Sequence, residues 1–481
     1  MNSLGLQTYI ELCHFPSLAQ SNIFNLTYMQ SGSVRRGKNK PKTYGLLVAF
    51  LRPVNDPLSS KYCVTMHHFD IDGNTIQPLT KSIDFAYLPG ASDIVCINSL
   101  HDEITDEYFV ALGFVKEGEK GYLNIYRSRS EEKLPENCSS YSNLPCVPLH
   151  LTHAHCLFKG KLQWAFFLSF GEPFVETPNQ IESANQPRIK IFSRLVDTNI
   201  TEEVENDQDK EKLRPNQSQT CHPNANYGEL LFSTASVLFP EITKLPSALI
   251  FLHMDFNVMD SFRLSAFGSQ DGWFGVFAVD MKLRTVVRSF NLSHESPITS
   301  IKIFQHISTC VSNSQGINNA DEKSTLLNHI NCLVCSAFEP SVVYRNIFEP
   351  DSFGMQNQLP LPCSMDFDHV NCASVGDFNV DGKPEIILGT FGQRLLYYEW
   401  DCSYPESNDG HYVLKAQREL PGPVFSISPP LDLIGEGPLS LAVLTSRGLH
   451  VFQHDIQHLI KEIHRRLDKS FIWSVYSNLQ T

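Results

Sequence analysis

The sequence predicts an all-β fold, a seven-bladed β-propeller with a short C-terminal α-helix. A unit of two strands joined by a turn recurs seven times along the 481 residues. The second strands of these units begin near residues 63, 123, 189, 274, 342, 395 and 449. The shortest step between them, about 53 residues, approaches the ~40–50 residues of one four-stranded blade. After the seventh unit, the apolar residues recur at helical instead of strand spacing.

The first strand of each unit contains an apolar run and small residues. These strands cover residues 44–50, 108–114, 165–170, 263–269, 332–338, 385–391 and 439–446. A strand buried between neighbouring blades is apolar on both faces, and Ala or Gly suits a crowded position near the axis. We therefore expect them to be the inner strands of the blades, although several β-sandwiches would also contain such strands. Residues 8–13 or 24–29 are expected to close the ring by completing the last blade.

Two segments differ from the repeat. Residues 1–455 are predicted to form the propeller, but residues 197–227 are polar, acidic and nearly free of large apolar groups, which predicts a disordered insert. Residues 456–481 are predicted to form an amphipathic helix and an apolar tail, with Asp455 as the helix N-cap. The helix either packs back on the propeller or binds a partner.

One loop has the pattern of a calcium site. Asp377, Asn379, Asp381 and Glu385 occupy its positions one, three, five and nine, and Gly382 occupies position six. Alternating oxygen side chains can wrap a hard cation, and Gly permits the tight turn that this requires. A strand follows directly, so the loop resembles the FG-GAP repeat of integrin-type propellers, in which such a loop binds calcium. The alternative is a turn whose carboxylates accept backbone N–H groups without metal.

Other polar clusters carry weaker signals. Eroded copies of the loop begin at Asp255 and Asp432. His153 and His155 lie near Cys156, but no fourth donor is visible, so they are interpreted as ordinary strand residues. His454 and His458 are interpreted as part of a solvated helix face. Because the expected inner strands carry few acids, bases or nucleophiles, and no nucleophile elbow or phosphate-binding loop occurs, the sequence does not favour an enzyme. No cofactor other than a structural calcium is expected.

The charge balance limits the partners. The formal net charge is −14, which disfavours a general nucleic-acid binder. The N-terminus has no secretory pattern and no stretch is apolar enough to span a membrane, which together with 13 scattered cysteines predicts a cytoplasmic protein with reduced thiols. A basic run at residues 35–42 could meet acidic partners such as actin or anionic lipid head groups. The alternative is a solvated hairpin loop.

Several segments together resemble the kaptin family. They are residues 238–256, 263–273, 337–348 and 377–400, and their order and spacing also match, through the seventh unit to the terminal helix. The resemblance is strong over about residues 225–470 and thinner over about 20–195. It implies a propeller, and it offers no catalytic residues to transfer. Only the loop at 377–385 matches a family motif residue by residue.

The resemblance also implies a cellular role. Members of the family are described as actin-associated and as subunits of KICSTOR, a lysosome-surface assembly that holds the GATOR complex and restrains target-of-rapamycin signalling when amino acids or glucose are scarce. The implied partners are a second FG-GAP-type propeller, the other KICSTOR subunits and GATOR. The implied locations are the cytoplasmic side of the lysosomal membrane or actin-rich cell projections. The implied function is a non-enzymatic scaffold, and the alternative is an actin-filament-associated protein.

Overall fold

Seven four-stranded antiparallel sheets form the protein, as predicted. The computed structural model describes residues 9–16, 26–30, 44–51, 62–72, 75–83, 92–102, 105–116, 121–129, 137–144, 146–173, 186–197, 227–306, 327–349, 357–401, 410–435, 439–455, 457, 459–461 and 463–467. The polar insert at residues 198–226, the basic run at 35–42 and the tail at 468–481 therefore lie outside the described residues.

The blades follow one another along the chain, and each of blades 1 to 6 consists of four consecutive strands, whereas blade 7 takes its fourth strand from the N-terminus. Blades 1 to 3 consist of β2 (Leu26–Gln30), β3 (Tyr44–Leu51), β4 (Tyr62–Asp72) and β5 (Thr75–Ile83); β6 (Ser92–Asp102), β7 (Glu107–Lys116), β8 (Gly121–Ser128) and β9 (Asn137–Leu144); and β10 (Cys146–Phe158), β11 (Lys161–Pro173), β12 (Ile189–Ser193) and β13 (Gly228–Glu229).

The remaining blades have the same order. Blades 4 to 6 consist of β14 (Phe251–Met259), β15 (Phe262–Ser269), β16 (Trp273–Asp280) and β17 (Thr285–Ser293); β18 (Ile298–Gln305), β19 (Ile330–Ser336), β20 (Val342–Tyr344) and β21 (Gln358–Pro360); and β22 (Val370–Gly376), β23 (Glu385–Thr390), β24 (Arg394–Asp401) and β25 (His411–Glu419). Blade 7 consists of β26 (Val424–Ile427), β27 (Ser440–Thr445), β28 (Gly448–His454) and β1 (Tyr9–Pro16).

The N-terminal strand closes the ring. β1 pairs antiparallel with β28, from Tyr9 opposite His454 to Pro16 opposite Gly448. The first of the two stretches predicted to close the ring is therefore the right one. The second, residues 24–29, contributes to β2 of blade 1 instead. Because β1 is the outer strand of blade 7, the first and last strands of the propeller hold each other in place.

The innermost strands are not those that the sequence predicted. The first strands of consecutive blades contact one another, and all seven line one central channel of about 410 Å³. The apolar strands predicted to be innermost, such as β15 and β23, are second from the axis. They are buried on both faces because neighbouring blades pack on them, as β23 shows with all six residues buried. The channel-lining strands face water on one side and are more polar.

A short helical segment fills the space beside blades 3 and 4. Helix α1 (Phe232–Leu238) is followed by a 3-10 helix (Pro240–Lys244), and another 3-10 turn (Arg194–Asp197) follows β12. Leu238 and Phe239 are buried in a cluster with β11 and β15, where the Phe239 ring meets Phe167 edge-on at 4.9 Å. This segment was not predicted from the sequence.

The C-terminal helix was predicted, and Asp455 caps it. The residues described between 457 and 467 are helical and are called α2. The Asp455 carboxylate accepts the Gln457 backbone N–H at 3.0 Å, which satisfies one of the open donors of the first turn. Leu459 is buried, whereas Ile460 and Leu467 are exposed. None of the described helices is long and apolar enough to cross a membrane.

Candidate functional site

The loop at 377–385 connects the two inner strands of blade 6, β22 and β23. Val380 and Gly382 have left-handed backbone angles, with φ of 57° and 82°, and these make the turn tight. The two carboxylate oxygens of Asp377 accept the N–H groups of Asp381 and Gly382, each at 2.9 Å. Asp381 in turn accepts the N–H of Lys383 at 2.9 Å. The acidic side chains therefore order the loop that presents them.

Three carboxylates converge in this loop. One oxygen each from Asp377, Asp381 and Glu385 lie within 4.8 Å of one another, and no other such group of acids, His or Cys occurs among the described residues. Asn379 is 4% exposed, and its side-chain oxygen accepts no hydrogen bond. A buried amide oxygen without a donor is costly. The three carboxylates that the sequence predicts as calcium ligands are therefore brought together, and Asn379 contacts them through its side-chain N–H, which donates to Glu385.

The electrostatics of Glu385 are unfavourable without a cation. Its carboxylate accepts the N–H groups of Phe378 (2.7 Å) and Asn379 (3.1 Å) and the side-chain amide of Asn379 (2.9 Å). These donors favour the ionised form. Burial, and then the charges of Asp381 and Asp377, nevertheless raise the pKa of Glu385 to about 9. A divalent cation beside Glu385 would relieve this conflict, since its two positive charges would offset most of the three negative charges.

The same acidic residues are concerned in both interpretations of the loop that the sequence left open. The carboxylates do accept backbone N–H groups, as an Asx-type turn would. They also supply the hard oxygen ligands that calcium prefers. The donor set therefore fits calcium.

The loop is also the point where both chain ends meet. The Tyr9 hydroxyl donates to the Phe378 carbonyl at 3.4 Å, and His454 Nε2 bonds the same carbonyl. Arg466 of α2 donates to the carbonyls of Asn379 (3.1 Å) and Val380 (3.0 Å). Helix α2 thus packs back on the propeller. Sequence reasoning missed Tyr9, His454 and Arg466, because no local pattern connects residues so far apart in the chain.

The prediction for His454 was wrong, and His458 lies outside the described residues. His454 is the last residue of β28, 3% exposed, with its ring 3.9 Å from that of Tyr9. It belongs to a strand because β1 and β27 pair on either side of β28. Asp255 is also not a loop remnant. It lies within β14, where its carboxylate bonds Lys302 Nζ (3.2 Å) and the Ile303 N–H (2.9 Å).

The central channel is lined by neutral histidines and mutually bonded polar groups. The His150 and His253 rings stack at 4.6 Å, and burial lowers the pKa of His150 to about 3. His153 bonds Asn98 at 2.6 Å, and its pKa is also lowered to about 3 by burial. His155 packs on Trp164 at 3.5 Å and forms no metal-ligand group with Cys156 among the described residues. The expectation of ordinary strand roles for these histidines is consistent with these contacts.

The fold and the loop define a seven-bladed β-propeller with one calcium-type loop. A sequence model of the family described as "KICSTOR complex protein kaptin" matches residues 9–173 and 222–464. The chain belongs to the kaptin family.

A curated relative gives the same result. The mouse protein "KICSTOR complex protein kaptin" is 29% identical over 390 residues, which cover 79% of this chain and 77% of the relative. Two solved structures are more distant. The BBS1N chain of a complex with ARL6DN has a TM-score of 0.47 and the C-terminal WD40 domain of Sif2 one of 0.42, both at 11% identity. The matches cover 94% and 93% of this chain and 98% of each structure. Neither likeness is close enough to carry an inference about this chain.

Proposed function

We propose that this protein is a non-enzymatic scaffold subunit of KICSTOR. In this role it helps to recruit the GATOR complex to lysosomes and restrains target-of-rapamycin signalling when amino acids or glucose are scarce. Membership of the family described as KICSTOR complex protein kaptin carries the proposal. A closed propeller suits a scaffold, since its rigid ring presents many loops and blade edges to partners without conformational change.

The scaffold role does not require chemistry in the channel. A general acid or base near neutral pH needs a pKa near that pH. His150 and His153 have pKa values lowered to about 3 by burial, so they stay neutral. Asp255 is engaged by Lys302 and by a backbone N–H. These contacts favour a structural role for the described polar residues of the channel.

The function predicts stable co-purification with KICSTOR subunits. Tagged protein expressed in nutrient-starved cells should recover a second propeller subunit, the other KICSTOR subunits and GATOR, and it should concentrate at the cytoplasmic face of lysosomes. The measurement is affinity purification with quantitative mass spectrometry, combined with imaging of lysosomes. An intact native complex without a second propeller subunit would contradict the proposal.

An actin-associated role is the alternative. It rests on the basic run at residues 35–42, which lies outside the described residues. Charge attraction to acidic filaments would weaken with salt, so cosedimentation over a salt series separates it from the scaffold role.

We also propose that the 377–385 loop holds one structural calcium ion. Asp377, Asn379, Asp381 and Glu385 would be its ligands. The conflict at Glu385 supports this, because three donors stabilise a charge that burial and two carboxylates oppose. The ion would stiffen the point where both chain ends contact blade 6.

Calcium should therefore stabilise the folded protein. At a free concentration of about 100 times Kd, a site present only in the folded state adds about 2.7 kcal/mol to the free energy of unfolding. The measurement is the melting temperature with calcium and with a chelator. Asp381→Ala should abolish the difference, whereas Asp432→Ala, in the corresponding loop of blade 7, should retain it.

The pH dependence of the protein's stability gives a second test of the proposed calcium site. Without calcium, folded Glu385 keeps its proton up to a pKa of about 9, whereas the unfolded chain releases it near 4.5. The contribution of Glu385 protonation to the free energy of unfolding is therefore complete below pH 4.5 and is lost as the pH rises towards 9. Calcium or Glu385→Gln should flatten this decline. Equal melting temperatures with and without calcium across this range would refute the site.

A further inference from the structure

Three exposed apolar side chains lie on turns of blades 5 and 6, opposite the calcium-type loop. Phe338 and Phe391 lie on the turns between the second and third strands of these blades, and Met365 lies on the connection between the blades. In an antiparallel sheet such turns are at the end opposite the first loop of the blade. We propose that Phe338, Met365 and Phe391, called the lower surface, bind a basic, apolar segment of a partner protein. This deepens the scaffold function and rests on it.

Phe338 is the most exposed of the three and is held rigidly. It is 75% exposed, although its own N–H donates to the Ser296 hydroxyl at 3.3 Å and the Ala337 N–H donates to the Pro297 carbonyl at 2.9 Å. Glu339 fixes the other side of the turn, because its carboxylate accepts the Glu295 N–H at 3.1 Å. An exposed aromatic ring on an ordered backbone can bind without the entropy cost of ordering the turn, as interface anchors do.

Hydrogen bonds connect this turn to the other two. The Ser341 N–H donates to the Ser364 hydroxyl at 3.0 Å, next to Met365, which is 47% exposed. The Phe391 N–H donates to the His369 carbonyl at 2.9 Å, and the two rings stack at 5.1 Å, yet Phe391 remains 43% exposed. Single exposed apolar residues are ordinary, but three on connected, ordered turns indicate a binding surface.

The charges around the lower surface select the partner. Glu339, Asp366 and Asp368 are the acidic residues on these turns, and Glu295 lies on the adjacent connection from blade 4 to blade 5. The His369 backbone N–H holds the pKa of Asp368 below its ordinary value, so this carboxylate stays ionised. Arg394 is the one Lys or Arg among the described residues of these turns, and it pairs with Glu419 at 2.8 Å. An acidic rim around apolar groups complements Lys or Arg interspersed with apolar residues.

The same charges disfavour a second copy of this chain as the occupant. A two-fold contact through the lower surface would place one acidic rim against another, and like charges brought together in an interface repel each other. A partner segment with the opposite charge has no such penalty. The experiment must therefore distinguish dimer formation from binding of a partner segment.

The test uses two fluorescein-labelled peptides of about 15 residues that share Leu and Trp positions and differ only in carrying four Lys or four Glu. Anisotropy titrations with the full-length protein give their affinities. Cys363, exposed in the Met365 turn, serves as a local probe, with its alkylation followed by peptide mass spectrometry. The Lys peptide should bind and slow this alkylation. Phe338→Ser should weaken binding at least tenfold, whereas Leu283→Ser, equally exposed at the opposite end of blade 4, should not.

Four results would overturn the proposal. The first is a Glu peptide that binds as tightly as the Lys peptide, and the second is a Phe338→Ser protein that binds the Lys peptide as tightly as the unaltered protein does. The third is alkylation of Cys363 that the bound Lys peptide does not slow. The fourth is a dimer of this protein that Phe338→Ser dissociates. KICSTOR subunits that still co-purify with Phe338→Ser would also exclude the lower surface while leaving the scaffold function intact. Failure of the unaltered protein to recover those subunits would instead refute the function itself, whatever the peptides do.

Discussion

Arg263→Ala should lower the free energy of unfolding by about 3–5 kcal/mol, the usual cost of removing one partner of a buried ion pair. Arg263 and Glu241 are both fully buried, and their side chains form two hydrogen bonds, at 2.9 and 2.7 Å. Arg263 also donates to the carbonyls of His155 (2.8 Å) and Leu238 (3.2 Å). Without the guanidinium, the Glu241 carboxylate would remain in the protein interior without its counter-charge.

An exposed ion pair and a double variant test whether the unpaired buried charge of Glu241 causes this loss of stability. Lys190 and Glu229 form an ion pair at 3.0 Å with side chains 31% and 44% exposed. Lys190→Ala should cost at most about 1 kcal/mol, since water solvates the remaining charge. Combining Arg263→Ala with Glu241→Gln should recover part of the loss, because no buried charge would remain. Urea denaturation measures all three variants, and similar losses for Arg263→Ala and Lys190→Ala would contradict the explanation.

The seven blades could be predicted because burial leaves a simple pattern in the sequence. β23 and β27 lie between neighbouring blades, so each of their residues is buried and their central residues are apolar. The innermost strands leave no such pattern, since one face meets the channel. β14 alternates buried Phe251 and Met254 with Asp255 and Asn257. This is why strands second from the axis were predicted to be innermost.

Helix α1 could not be predicted for a different reason. It has seven residues, and the N-cap position is Leu231, whose side chain makes no capping hydrogen bond. Short helices without caps are unstable alone and depend on tertiary contacts. Here the contacts come from blades 3 and 4, and from the Glu241–Arg263 pair that follows α1. None of these contacts is local in sequence.

The candidate site also has residues that the sequence predicts and residues that it does not. The four residues proposed as calcium ligands could be predicted because they lie within nine residues of one another. The groups that support the loop could not be predicted, because Tyr9, His454 and Arg466 come from the two ends of the described chain. Their positions follow from ring closure, which brings β1 beside β28 and places α2 directly after β28. Ring closure therefore contributes to the site as well as to the fold.

Deleting residues 1–16 should destabilise the protein more than any single substitution. The deletion removes β1, so blade 7 would keep three strands, and β28 would expose an unpaired edge from Gly448 to His454. It also removes Tyr9, which is 1% exposed and packs in the cluster between blades 6 and 7. Loss of such an aromatic side chain alone costs about 3–5 kcal/mol. We expect a much lower melting temperature and aggregation through the open edge.

A shorter deletion and a point substitution separate ring closure from a general effect of truncation. Deleting residues 1–8 leaves β1 intact and should leave the melting temperature unchanged. Tyr9→Ala keeps the strand but removes the aromatic ring that packs on His454, so its melting temperature should lie between those of the two deletion variants. Calorimetry and size-exclusion chromatography measure the series. A protein lacking residues 1–16 that stays monomeric with an unchanged melting temperature would show that β1 does not close the ring. The longer deletion also removes the Tyr9 hydroxyl from the Phe378 carbonyl, so the calcium binding proposed for the adjacent loop should weaken together with stability.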